Sequence, residues 1–474
     1  MKVFGSLTVK KKLAPPGALG PSLPVAAGLS RGGTTFTTLR SCASLRSTSL
    51  LCVLMSFQGA CVYRPEFLGR SEGRQPPRIR LSCYASSTIG TTYTDPDQLG
   101  LHGYKSRGSE RDGIVYTCKA GHIDIPHLRK AADWTAYFAE KTLEYLRKGK
   151  DDFTFKLYEP SKYFVRVTYP QNWERLPDAE KEQIMREISV GLGQYFAYIG
   201  CTWHEILTWF GYRPVLFYPE FPSAFSWEDT FSNLLGTHIA GMALRDTKRE
   251  YDQAMTVAIY RELQRLDAQP KDTAIRAAEE VRGKWFSGGF LFLVNMKGRN
   301  FDIGVDDGFV TPWLVPSPAE GPGGLAECRG AQAESYPAPN LYFLAEYGFS
   351  VKLEIEPREM ERGKVLKIIY PDSGRRGNRI EPAIHFAAIM DYIIQDAEKR
   401  YGRDILIDRT GPPHQLSVEK TTGRYRGENP PDCVSIGAGS QSDVQQSHNA
   451  PLSPTHADTD MLKSPVVSKA GHNR

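Results

Sequence analysis

Apolar residues recur with a helical period in the first half of this chain and with a period nearer two in the second. Leu128, Ala131, Ala132, Trp134, Thr135 and Phe138 form one helical face that carries through to about Arg147. Pro126 fits the first turn of that helix, and Asp124 stands near its cap. Phe153–Tyr158 and Tyr163–Tyr169 alternate and are rich in β-branched and aromatic residues, which predicts a hairpin. A long helix is predicted from about Asp178 to Phe210, with Gly211 ending it. Ser226 resembles a cap for the next helix, with Asp229 three residues on in the capping-box position. Further helices are predicted near 248–266 and 272–285.

The period then changes. Gly289–Met296, Asn300–Val305 and Phe309–Val315 read as an antiparallel β-meander joined by Lys297-Gly298-Arg299 and Asp306-Asp307-Gly308. Residues 317–338 read as a surface loop. Strands near 349–356 and 364–370 and a helix from Pro382 to Arg400 complete the pattern. Helices first and strands later predict an α+β fold, with a helical half over about 124–285, the meander, and a C-terminal helix.

Composition frames this body. The 474 residues are 41% hydrophobic and 24% charged, with a net charge of +5. There is no Lys/Arg stripe interleaved with aromatics, so nucleic acid is not an expected partner. No apolar run reaches the roughly 18 residues of a transmembrane helix. Residues 411–474 are rich in Gly, Ser, Pro, Gln and Asn and nearly free of aromatics, so a disordered tail is expected from about 409. A single domain is expected over 111–408.

The N-terminal region changes the expected location. The first acid is Glu66. Arg40 and Arg46 precede the short apolar run Leu50–Phe57, and Gly59-Ala60 precede Cys61. That is the plan of a bacterial lipoprotein signal peptide over 39–60, with Cys61 as the lipidated residue. Gln58 departs from the plan, since an aliphatic residue is usual there. On this reading residues 1–38 are a non-native or disordered leader, and 61–110 tether the domain to the membrane. An organelle transit peptide, also basic and poor in acids, is the competing interpretation. The eight cysteines include no C-x-x-C pair, and five remain beyond Cys61, so neither a disulfide framework nor a thiolate metal site is expected.

The chemistry concentrates around Trp203-His204-Glu205-Ile206-Leu207-Thr208-Trp209. The His-Glu pair opens like the zinc-hydrolase motif His-Glu-x-x-His, but Thr208 stands where the second imidazole belongs. Other imidazoles of the helical half are His122, His127 and His238. His127 sits in the first turn of its helix, where the dipole disfavours imidazolium and keeps the ring available as a ligand. The expected arrangement is a divalent metal such as zinc held by His127, His204 and one of His122 or His238, with Glu205 or Glu228 as general base or further ligand. A metal-free alternative makes Glu205 a general acid in glycan cleavage, with Asp306, Asp307 or Glu228 as its partner. In a third interpretation each imidazole is an internal structural residue bonded to a nearby acid.

Tyr116–Trp134, Trp203–Gly211, Ser223–Gly236 and Asp306–Trp313 together resemble an uncharacterised family of bacterial proteins, many with lipoprotein-type signals, known only as a domain of unknown function. The resemblance covers about residues 110–400 and implies a bacterial envelope protein. It carries no established activity and no catalytic residue. The expected function is therefore a lipid-anchored envelope protein facing the periplasm or exterior, acting as a metal-dependent hydrolase on an envelope substrate. A non-catalytic protein binding cell-wall polymer or other envelope proteins is the alternative.

Overall fold

A computed structural model describes residues 67–68, 75–81, 84–213, 221–290, 293–316, 325–372 and 377–402. The fold is α+β. Its centre is helix α1 (Ile125–Arg147), which follows directly from the hairpin of strands β1 (Ile114–Thr117) and β2 (Gly121–Asp124). Gly121 turns this hairpin with φ +66, and a Cβ there would overlap the carbonyl of Trp313. Only glycine meets both demands.

Helix α1 is buried along most of its length between α2 (Asp178–Trp209) and α3 (Asp229–Arg245). Small residues make this possible. Gly193 of α2 faces the carbonyl of Thr135, where an added Cβ would lie only 2.6 Å away, and Gly236 of α3 lies against the carbonyl of Leu128. The expected stop of α2 is observed: Gly211 adopts φ +100, and the Phe210 N–H closes the last turn on the Ile206 carbonyl. The expected Ser226 cap is not. Helix α3 begins at Asp229, with no side chain capping it. Helices α4 (Tyr251–Arg265) and α5 (Lys271–Glu280) follow, and strand β5 (Ala268–Gln269) between them pairs with β1.

The second sheet orders β10 (Ser350–Glu356), β4 (Lys162–Thr168) and β3 (Asp152–Phe155), all antiparallel. Tyr163, Val165 and Val167 of β4 point into the core shared with α1 and α2. Helix α7 (Pro382–Tyr401) adds Phe386, Ile389, Met390 and Ile393 to the same core.

Two expectations fail in the C-terminal half. The segment 364–370 is helix α6 (Arg362–Ile369), not a strand. Val365, Leu366 and Ile369 pack into the core beside α7, a spacing of three to four that a helix satisfies. The meander survives only as two short antiparallel pairs: β6 (Phe286–Ser287) with β7 (Asn295–Met296), and β8 (Phe309–Val310) with β9 (Tyr336–Pro337). Residues 300–305 form no strand, because side chains take their backbone donors. Asn300 Oδ1 accepts the Asp302 N–H at 3.0 Å, and Asp302 Oδ1 accepts the Gly304 N–H at 3.1 Å.

The segment expected as a tether packs into the domain where it is described. Arg80 donates to Asp133 at 2.8 Å and pairs with Glu110, and His102 Nε2 lies 2.8 Å from Asp133. All four of these side chains are buried. A second correction concerns cysteine. Cys118, in the β1–β2 turn, forms a disulfide with Cys328, 210 residues away. Cys201 is free and buried, as a small apolar residue would be. Among the described residues no helix is long and apolar enough to cross a membrane.

Candidate metal centre

Strand β2 ends on Asp124, whose backbone is extended as a cap requires. Its Oδ1 accepts the His127 N–H at 3.0 Å, and this bond fixes the first turn of α1. Its Oδ2 lies 3.0 Å from His127 Nδ1. Helix α3 brings its first residue to the same place, with Asp229 Oδ1 3.1 Å from His127 Nδ1. The three ligand atoms lie within 4.8 Å of one another, and all three residues are buried. Ligand atoms about 2.1 Å from a divalent ion and at right angles to each other lie about 3.0 Å apart, so the two short edges fit one face of such a shell.

More acid surrounds this face. Glu228 precedes Asp229, and its Oε1 accepts the Ala85 N–H at 2.6 Å. Glu228 Oε2 and Asp229 Oδ1 have no hydrogen-bond partner among the described residues, although both residues are at most 2% exposed. Burial raises the Glu228 carboxyl to about 8, with Asp124 adding repulsion. Burial raises Asp229 well above the carboxylate range, and Glu228, Glu205 and Asp124 add to it. Burial keeps His127 neutral, helped by Lys130. Lys130 is held above its ordinary value: burial opposes its charge, but Cys201, Glu205, Asp229 and Asp124 outweigh that.

Charge balance is the strongest property of the site. Asp124, Glu205, Glu228 and Asp229 are buried carboxyls, and the cations that act on them are Lys130 and the buried Arg299. Fully ionised, the four acids exceed the two cations by two negative charges. Buried charge left uncompensated is costly, so the acids either hold protons or bind a cation. A divalent ion matches the deficit. The donor set of one imidazole and several carboxylate oxygens suits zinc, manganese or iron(II).

The imidazoles predicted from sequence divide. His127 is in the centre. His204, one residue before Glu205, sits at its edge. Its Nδ1 is 2.7 Å from Glu159 Oε1, its side chain is 24% exposed, and Glu159 is 6% exposed. Burial opposes the His204 charge, but the Glu159 carboxylate holds its pKa above the ordinary value. Glu205 Oε2 accepts the Phe225 N–H at 2.9 Å, which ties the end of α2 to the turn before α3.

His122 and His238 lie elsewhere and do not join a shared ligand set. His122 Nε2 bonds the Ala274 carbonyl at 3.1 Å, and its Nδ1 accepts from Trp227 Nε1 at 3.4 Å. Both nitrogens are engaged, and burial lowers its pKa to about 4. His238 Nε2 bonds the Pro337 carbonyl at 2.8 Å and fastens α3 to β9. Asp306 and Asp307 are exposed, and Asp307 Oδ1 accepts the Phe309 N–H at 2.8 Å, so they form a turn. Cys61 and the signal segment lie outside the described residues.

Sequence reasoning assigned Asp124 and Asp229 to caps and passed over Lys130 and Glu159. The available signal was Asp124 and His127 three residues apart at a helix start, which places both side chains over one turn. No curated protein and no solved structure matches the chain significantly. Residues 83–289, which include Ala85 and every side chain of the centre except Arg299, match the family model described as protein of unknown function (DUF4056).

Proposed function

We propose that this protein is a metal-dependent hydrolase of the bacterial envelope, anchored to the membrane through a lipid on Cys61. The observation that carries the metal is the position of His127 Nδ1, 3.0 and 3.1 Å from carboxylate oxygens of two separate elements. A divalent ion held by Asp124, His127 and Asp229 would polarise a substrate oxygen and make water a better nucleophile. Glu205, whose charge acts on His127, Lys130, His204 and Asp229, is the acid assigned to take the proton of that water. The Cys118–Cys328 disulfide supports a location outside the cytoplasm, where such bonds persist. Peptidoglycan, a peptide or a lipid is the substrate expected there.

Metal analysis of the purified full chain, with calorimetric titration of zinc and manganese, tests the centre. One equivalent bound by the natural protein and lost in Asp229→Asn with the fold intact supports the reading. No binding of either ion sinks it. The anchor has its own test: Cys61→Ser must release the protein from the membrane fraction and change its mass. A protein that binds metal yet hydrolyses nothing would fit a non-catalytic envelope binding or scaffold role. The near-complete burial of Glu205 and Glu228 favours that second reading over the metal-free glycan mechanism.

A further inference from the structure

The segment before β1 is packed the wrong way round for ordinary surface chain. Arg80 turns inward and is buried with Asp133 and Glu110, while its neighbours Ile79 and Leu81 turn outward, 69% and 87% exposed. Charged side chains are rarely buried unless paired, and large apolar ones gathered in solvent mark a contact surface. Arg78 and Arg80 both donate to the Gly103 carbonyl at 3.2 Å, which lays this arm against residues 101–103. Leu101 on that neighbouring segment is 65% exposed. Tyr158, also exposed, donates its hydroxyl to the Pro77 carbonyl at 2.9 Å. Buried ion pairs and hydrogen bonds thus fix the chain that carries these four side chains, and the side chains themselves are left in solvent.

The arm lies on one side of α1. The Phe67 N–H donates to Glu140 at 2.6 Å, and Arg80 donates to Asp133 at 2.8 Å. Asp133 and Glu140 are seven residues apart, so they share a face of the helix about 10 Å apart. Cys61 stands six residues before Phe67, a reach of at most about 22 Å. A lipid on Cys61 would hold this side of α1 close to the bilayer.

We propose that Ile79, Leu81, Leu101 and Tyr158 form a second membrane contact, which enters the interfacial layer of a bilayer with anionic headgroups. This rests on the lipid-anchor reading above for the side of the domain that meets the membrane, and not on hydrolysis. Ile79, Leu81 and Leu101 gain by leaving water, and a tyrosine suits the headgroup level, with an apolar ring and a polar tip. Lys105 and Arg107, exposed on the loop after Gly103, complement anionic headgroups. The acid bonded to that loop is Asp252, which accepts the Tyr104 N–H at 2.9 Å. A second copy of the chain would cover the same residues, and the short reach from Cys61 favours lipid. Such a patch alone binds reversibly, as a single acyl chain does, so it orients the domain while the anchor retains it.

The test uses the full chain carrying Cys61→Ser, so that no lipid is attached and the outcome does not depend on the anchor. Co-sedimentation with vesicles of phosphatidylcholine and phosphatidylglycerol in equal parts should show reversible binding that salt weakens. Adding Ile79→Ser and Leu81→Ser should weaken it about tenfold or more. Thermal unfolding should stay unchanged, because both side chains are already exposed. Ile89→Ser with Leu293→Ser, at a similarly exposed apolar pair by the β6–β7 hairpin, is the control and should bind as before. Absence of vesicle binding overturns the proposal, as does undiminished binding by the Ile79→Ser, Leu81→Ser protein or an equal loss in the control. A dimer without vesicles that the same two substitutions dissociate would assign the face to a second copy and overturn it too. Vesicle binding that depends on Ile79 and Leu81, in a protein whose Cys61 proves unmodified, would support this contact and overturn the anchor alone.

Discussion

Asp124 and His127 are joined twice. One carboxylate oxygen accepts the His127 backbone N–H at 3.0 Å, and the other lies 3.0 Å from the imidazole Nδ1. The first contact serves the helix and the second serves the centre, and one substitution separates them. In Asp124→Asn the amide oxygen still caps α1, since Asn and Asp cap equally well. Thermal unfolding without metal should stay within about 1 kcal/mol of the natural protein or improve, because one buried charge is gone. Calorimetry should show divalent-metal affinity down about a hundredfold or more. Equal affinity would remove Asp124 from the ligand set.

Glu228 gives the pH dependence. Its carboxyl rises from 4.5 unfolded to about 8 folded, so the metal-free folded state binds a proton that the unfolded chain has released across that range. Stability from this proton is full below about 4.5 and is lost as pH rises through about 8. Urea unfolding of the metal-free protein over this window should show the natural chain losing stability relative to Glu228→Gln, on the order of several kcal/mol. Saturating divalent metal should flatten the difference, because the cation replaces the proton. A constant gap between the two proteins would mean that Glu228 stays ionised.

The disulfide closes a span of 210 residues. It also pins the β1–β2 turn, and β2 runs straight into Asp124. Replacing both Cys118 and Cys328 by Ala should lower stability by about 2–5 kcal/mol. Because the hairpin sets the start of α1, metal affinity should weaken in the same variant. Unchanged melting with and without reductant would mean the two thiols are not bonded in solution.

Gly236 sets the distance between the two helices that supply the centre. A Cβ there would overlap the Leu128 carbonyl on α1. Gly236→Ala should push α3 away from α1 and draw Asp229 away from His127. The expected loss is about 1–3 kcal/mol of stability from overpacking, with metal affinity falling further than stability alone explains. Chemical denaturation and titration with manganese read the two effects separately.

How much of this was legible in sequence depended on whether the signal was local. Helices α1 and α2 were readable because Leu128 through Phe138, and the run ending at Gly211, carry their own period and stop. Strand β4 alternates visibly with its neighbour β3. The meander misled because Asn300–Val305 alternates like a strand, whereas the side chains of Asn300 and Asp302 accept the backbone N–H groups that a ladder would use. Helix α6 misled because Val365, Ile368 and Ile369 are β-branched, and only the core beside α7 selects the helix. In the centre, His127 was legible from its place in a first helical turn. His122 and His238 were indistinguishable from ligands, because the carbonyls of Ala274 and Pro337 that satisfy them lie 152 and 99 residues away. Asp229 looked like a capping acid and is one of the three buried residues whose ligand atoms converge on the centre. The Cys118–Cys328 pair had no spacing pattern to betray it.

The bond from Ala85 N–H to Glu228 Oε1 bears on how the protein can be dissected. Composition places the start of the folded body near residue 111, yet a segment well before that point bonds one of the buried acids of the centre. A fragment trimmed to 111 would retain α1, α2 and α3 and still leave Glu228 without that partner. Inactivity in such a fragment would report the cut and not the chemistry.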